Sequence, residues 1–124
     1  MMDMKIVAAA LAWVLLSGGV HAEGDAAKGE AKFQECAACH KLESGVNNVG
    51  PSLHGVIGRK AGELSDFRYT PAVERSGVIW TPETLDVFIT NPQAMIPANR
   101  MPYAGLADPA GRADLIAYLQ KATK

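Results

Sequence analysis

The chain has 124 residues, 48% of them hydrophobic, and a formal net charge of −1 at pH 7. This length suits a single domain, and a near-neutral charge without a basic run argues against nucleic acid as a partner. With two cysteines and three histidines, the chain offers few side chains for a metal site built from several such ligands.

Residues 1–22 have the features of a secretory signal peptide. Lys5 precedes an apolar run at residues 6–16, and Val20 and Ala22 are small residues at the recognition positions of a cleavage site. The run is short for a membrane span, although a retained anchor is the alternative. We therefore expect export to the bacterial periplasm and one domain over residues 23–124, with no stable membrane insertion after cleavage.

The next elements are a helix and a long loop. Asp25 is placed to cap a first helix, in which Gly29 suggests a close crossing with another helix. Residues 41–69 contain many glycines and no alternating strand pattern, which predicts an irregular loop. A loop of this length inside a small domain usually has a functional reason, and wrapping a flat cofactor is one.

The stretch Cys36-Ala-Ala-Cys39-His40, between that helix and that loop, is the most informative motif. C-x-x-C-H is the attachment motif of a c-type haem: each thiol can bond one vinyl group, and the imidazole can bind the iron. A thiol–disulfide pair and half of a zinc site are the alternatives. No β-branched run precedes Cys36, and His21 and His54 are the other histidines available to a zinc ion. Haem is therefore the favoured interpretation.

The second half of the chain predicts short helices that begin with a cap and a proline. Such starts predict helices over residues 71–75, over residues 82–90 and after Asp108, with an irregular segment at residues 91–107. The fold class is all-α, with about four or five short helices and long loops. The last helix is expected to keep its charged side chains outside, namely Arg112, Asp114, Lys121 and Lys124.

An iron bound by His40 needs a second axial ligand or an open position. Thioether sulfur is a competent ligand of haem iron. Met101 lies in a loop stiffened by prolines, which suits a weak ligand, whereas Met95 is interpreted as core filler. His54 is interpreted as a surface histidine rather than a ligand.

With these motifs in place, the chain resembles the class I c-type cytochromes, the group of mitochondrial cytochrome c and its small soluble bacterial relatives. The matching segments occur in the family's order: GPSLHGVIGRKAG at 50–62, FRYTPA at 67–72, TLDVFITNP at 84–92, NRMPYAGL at 99–106 and RADLIAYLQKAT at 112–123. The resemblance implies the small cytochrome c fold around one covalently attached haem c.

The resemblance also implies roles for individual residues. His40 matches the proximal iron ligand and Met101 the distal one, and Pro51 matches the residue whose carbonyl accepts from the other imidazole nitrogen. The positions that hold the haem propionates in the family are matched by Arg59, Tyr69 and Trp80.

Three positions depart from the family pattern on the methionine side. Phe88 stands where many relatives have a tyrosine near the sulfur, and Val73 replaces an often polar residue, so a drier distal side is expected. Asn99 stands where threonine is common, and it keeps a group able to donate.

The implied function is a one-electron carrier that is monomeric and not an enzyme. The resemblance suggests a quinol:cytochrome c reductase as donor and an oxidase, photosynthetic reaction centre or reductase as acceptor. The alternative is a haem enzyme, or a sensor of peroxide or gases, in which Met101 is displaceable. No histidine neighbours Met101 in the sequence to serve as a catalytic base, which favours the carrier.

Overall fold

The computed structural model describes residues 24–124, so the signal peptide expected at residues 1–22 lies outside the described residues. The helices are α1 (Ala26–Ala37), α2 (Pro71–Glu74), α3 (Pro82–Thr90), α4 (Pro92–Met95) and α5 (Pro109–Ala122). Over the described range there is no β-strand, and two loop segments meet in an isolated antiparallel bridge between Lys60 and Ile79. None of the helices in this range is long and apolar enough to cross a bilayer. The all-α prediction is confirmed.

Every helix begins at a residue whose side chain accepts from backbone N–H groups of the first turn. These caps are Asp25, Thr70, Thr81, Asn91 and Asp108, and all but the first are followed by proline. Caps and prolines matter here because helices this short are not stable by propensity alone. The helix α4 was not predicted: residues 91–107 were expected to be irregular, whereas Asn91 caps a further helix that begins at Pro92.

The helices α1 and α5 pack so closely that their backbones nearly touch at Gly29. A Cβ atom added there would lie 1.9 Å from the carbonyl oxygen of Asp114. One helical turn further on, the rings of Phe33 and Tyr118 pack with their centroids 5.3 Å apart. The predicted close crossing at Gly29 is confirmed, and the surrounding core consists of Phe33, Leu85, Ile89, Leu115, Ile116 and Leu119.

The prediction that Arg112 lies outside was wrong, whereas Asp114 is half-buried and its Oδ1 accepts from Asp25 N at 2.7 Å. The Arg112 side chain is 11% exposed and its Nε donates to Asp86 Oδ1 at 2.8 Å. Its Nη1 donates to the carbonyl oxygens of Leu106 and Ala107 at 3.0 and 2.9 Å. A guanidinium can be buried when acceptors surround it, and no sequence periodicity reveals them. Arg112 thereby joins α5 to α3 and to the end of the methionine loop, the segment at residues 96–108 that carries Met101. Exposure is confirmed for Lys121 and Lys124.

Candidate functional site

A cavity of about 590 Å³ lies between α1, the long loop that follows it and the loop that follows α4. Its volume is in the range of about 300–1,000 Å³ typical of cofactor sites. Neither Met95 nor His54 contributes to its wall. The wall includes all the candidate residues from the sequence: Cys36, Cys39, His40, Pro51, Arg59, Tyr69, Trp80 and Met101.

The imidazole of His40 is fixed by the loop opposite α1. Its Nδ1 lies 2.7 Å from the carbonyl oxygen of Pro51. A carbonyl oxygen can only accept, so Nδ1 carries the proton, and Nε2 keeps the lone pair that a metal ion needs. Burial lowers the pKa of His40, and the Arg59 charge acts in the same direction, although the bond to Pro51 opposes both. The bond to Pro51 therefore fixes the tautomer of the imidazole, and burial favours its neutral form.

Gly50 brings the backbone directly against this imidazole. A Cβ atom at Gly50 would lie 2.3 Å from Cε1 of His40. The Gly50 N–H donates to the carbonyl oxygen of Cys39 at 2.9 Å, which closes the loop next to the motif. Sequence reasoning assigned no role to Gly50, because a Gly-Pro pair indicates a turn but not what packs against it.

The Cys36 thiol lacks the lowered pKa that is typical of a reactive cysteine. Cys36 and Cys39 are both free, and burial, with smaller contributions from Glu35 and Cys39, raises the pKa of Cys36 to about 11. Reactive cysteines have lowered pKa values, so the thiol–disulfide interpretation is disfavoured. Residues 24–124 also contain no cluster of three or more His, Cys, Asp or Glu side chains suited to a metal ion. The zinc interpretation therefore has no site in that part of the chain.

The loop that carries Met101 is anchored on both sides. The Met101 N–H donates to Asn99 Oδ1 at 2.9 Å. Beyond it, the Tyr103 hydroxyl lies 3.4 Å from Glu35 Oε2, next to the cysteine motif, and donates to that carboxylate. Further along, Leu106 N donates to the carbonyl oxygen of Ile89 at 2.8 Å, which returns the loop to α3. The loop that carries Met101 is thus fixed by Asn99 within it and by contacts to α1 and α3.

Comparison with known proteins decides the family. The family model described as cytochrome c matches residues 26–123. The chain belongs to the cytochrome c family. It is 46% identical over 101 residues to cytochrome c2 of Agrobacterium tumefaciens (strain II Chrys), covering 78% of this chain and 91% of that protein. It is 41% identical over 117 residues to cytochrome c2 of Rhodomicrobium vannielii, covering 94% of this chain and 91% of that protein. Cytochrome c of Arabidopsis thaliana is 42% identical over 104 residues, covering 82% of this chain and 93% of that protein.

As a member of the cytochrome c family, the protein carries one covalently bound haem c. The residues present fit this group. Both thiols, the imidazole and the thioether line the same cavity, where apolar side chains make up much of the wall. An apolar wall suits the porphyrin face, and the unprotonated Nε2 of His40 suits the iron.

Three polar residues of this cytochrome c gather along the same part of the wall. Arg59 donates from Nη2 to the carbonyl oxygen of Ser52 at 2.9 Å, and its own carbonyl accepts from Trp80 N at 2.9 Å. Burial raises the pKa of Tyr69, and the neighbouring Arg59 charge opposes the shift. Arg59, Tyr69 and Trp80 thus share the cavity wall, and their binding of the haem propionates stays a prediction.

The methionine side differs from expectation at one residue. Phe88 and Val73 both line the cavity, as expected of a wall with few polar groups. Asn99, however, does not keep a free donor: its Nδ2 donates to the carbonyl oxygens of Pro92 and Ile96 at 3.0 and 2.8 Å. The amide does donate, as expected, but the carbonyls of Pro92, at the start of α4, and Ile96, just after its end, occupy both N–H groups and leave neither for the methionine sulfur.

Proposed function

We propose that the protein is a one-electron carrier whose haem c is bonded to Cys36 and Cys39 and ligated by His40 and Met101. One observation carries the proposal: these four side chains line one cavity while His40 Nδ1 donates to Pro51, which leaves Nε2 for the iron. The bound haem supplies an iron that changes between ferrous and ferric states. Family membership supports the carrier function, since the relatives are named cytochrome c and c2.

In this proposal the chain keeps the site rigid and dry. Gly50 and the Pro51 carbonyl fix the imidazole, while the anchored loop fixes the thioether. Electron exchange is fast when ligand geometry changes little between redox states. The haem propionates are charged, so they need hydrogen-bond donors where they are buried. In this proposal Arg59, Tyr69 and Trp80 supply those donors.

We further propose that residues 1–22 are cleaved on export and that residues 23–124 act as a monomer in the periplasm. The resemblance suggests a quinol:cytochrome c reductase as electron donor and an oxidase, reaction centre or reductase as acceptor. N-terminal sequencing of the periplasmic protein is expected to begin at Glu23, and sedimentation to give one chain per particle. A protein that stays in the membrane fraction with its first residues intact would contradict cleavage.

Binding of carbon monoxide to the ferrous protein distinguishes a carrier from an enzyme or sensor with a displaceable Met101. A carrier with both axial positions filled is expected to bind the gas slowly and incompletely at neutral pH. Rapid stoichiometric binding would contradict the carrier and favour the alternative. The Met101→Ala variant is the positive control, because it opens the axial position.

A further inference from the structure

The side-chain amide of Asn99 is buried and uses all its hydrogen-bonding groups. The residue is 8% exposed. Its Nδ2 donates to the carbonyl oxygens of Pro92 and Ile96 at 3.0 and 2.8 Å. Its Oδ1 accepts from Met101 N at 2.9 Å and from Gln93 Nε2 at 3.0 Å. One amide therefore joins both ends of α4 to the methionine.

We infer that Asn99 is a positioning residue that fixes Met101 for ligation of the haem iron. The inference rests on the proposed ligand role of Met101. The bonded N–H belongs to the same residue as the sulfur, so the anchor lies at the base of the ligating side chain. The other loop bond at Met101, from Tyr103 N to the Met101 carbonyl at 2.9 Å, stays inside the loop. The bond to Asn99 instead ties Met101, through the Asn99 amide, to the Pro92 carbonyl in α4.

The backbone next to Asn99 adopts a conformation that is unfavourable for a residue with a Cβ atom. Ala98 has φ 66°, in the left-handed region that residues with a Cβ seldom adopt. Such a conformation persists when surrounding contacts determine it, and here the amide bridges the residues on both sides of the turn. Gln93 adds a second bond, from Nε2 to the Asn99 carbonyl at 2.9 Å. A weak thioether ligand benefits because a fixed loop loses little entropy when sulfur binds iron.

The test is an imidazole titration of the ferric, haem-loaded protein, since exogenous imidazole competes with Met101 for the iron. In Asn99→Ala the partners in α4 and the Met101 N–H lose their bonds, so imidazole affinity is expected to rise about tenfold or more. A methionine-ligated ferric haem has a weak far-red absorption band that arises from sulfur-to-iron charge transfer, and this band should weaken in parallel. In Asn99→Thr the hydroxyl can still accept from Met101 N, so an intermediate affinity is expected. If Asn99→Ala yields no folded protein, the imidazole affinity of Asn99→Thr relative to the unmodified protein decides the inference.

Asn47→Ala is the matched control. This amide also bridges two loop segments, donating to the Asp66 carbonyl at 3.1 Å and accepting from Ser52 N at 2.8 Å, and neither group belongs to the methionine loop. The variant is expected to lose stability in denaturant while its imidazole affinity changes less than about twofold. An equal rise in Asn47→Ala and Asn99→Ala would overturn the inference, because general loosening would then explain both.

The titration also separates this inference from the proposed function. If Met101→Ala loses the far-red band while both Asn99 variants bind imidazole like the unmodified protein, Met101 is the ligand and Asn99 does not position it. If Met101→Ala keeps the band, the proposed ligand is wrong and the inference falls with it. The supporting result is loss of the band in Met101→Ala together with affinities that rise from wild type through Asn99→Thr to Asn99→Ala.

Discussion

Replacing Gly29 with alanine tests how closely α1 and α5 are packed. The new Cβ would lie 1.9 Å from the Asp114 carbonyl oxygen, 2.5 Å from the Asp114 carbonyl carbon and 2.8 Å from Tyr118 Cβ. Ordinary contacts of a Cβ begin at 3.4 Å, so the helices must separate by about 1.5 Å. Two of the three neighbours are backbone atoms of a helix and cannot rotate away.

The expected loss of stability follows from this separation. Overpacking a dense core costs about 1–3 kcal/mol, and more where backbone must move. Separating two packed atoms by about 0.5–1 Å loses a quarter to a half of their dispersion energy. Phe33 and Leu115 belong to the core at this crossing, so their contacts would weaken in this way. Alanine returns about 1 kcal/mol through its better helix propensity. We expect a net loss of at least about 2 kcal/mol, a large share of the roughly 5–15 kcal/mol of a typical domain.

Chemical denaturation of the haem-loaded protein measures the effect, with Gly111→Ala as the control. Gly111 is also a buried helical glycine, but its added Cβ would meet side-chain atoms, the nearest being Asp108 Oδ2 at 3.2 Å. Side-chain ends can adjust, so its free energy of unfolding should change by less than about 1 kcal/mol. Equal, small effects of both substitutions would refute the close crossing.

Three other substitutions test further contacts. Gly50→Ala places a Cβ against the His40 ring and should cost about 1–3 kcal/mol in denaturant unfolding; an unchanged midpoint would contradict the contact. Arg112→Met leaves two loop carbonyls and a carboxylate without their donor and should cost about 2–3 kcal/mol, whereas Lys121→Met, at an exposed site, should cost less than about 0.5 kcal/mol. For Tyr69, whose pKa is raised by burial, folding favours the neutral phenol. Its contribution is therefore complete below about pH 10 and is lost as the pH rises through the folded-state pKa. Unfolding measured across that range should show a shallower alkaline decline in Tyr69→Phe, and an unchanged slope would contradict the shift.

Local signals in the sequence predicted most of the fold. Thr70, Thr81 and Asp108, each followed by proline, mark the starts of α2, α3 and α5, because a cap and a fixed φ act within one turn. The same signal at Asn91 is ambiguous, since Pro92 both ends one helix and begins the next. The cysteine motif and Met101 were found because their chemistry is visible in single side chains.

Contacts made in three dimensions were beyond the sequence. Arg112 occupies a charged position on an amphipathic helix, and only the packing of α3 and the methionine loop shows why it is buried. Gly50 and Asn99 belong to segments that match the family, yet their roles depend on an imidazole face and on two helix carbonyls. A pattern of residue types does not show either of these contacts.

The far-red absorption band of the ferric protein, which arises from sulfur-to-iron charge transfer, tests the central claim most directly. Met101 lies on the cavity wall and Met95 does not, so the unmodified protein and Met95→Ala should both show the band and Met101→Ala should lack it. A band that persists in Met101→Ala, or that disappears in Met95→Ala, would contradict the ligand assignment.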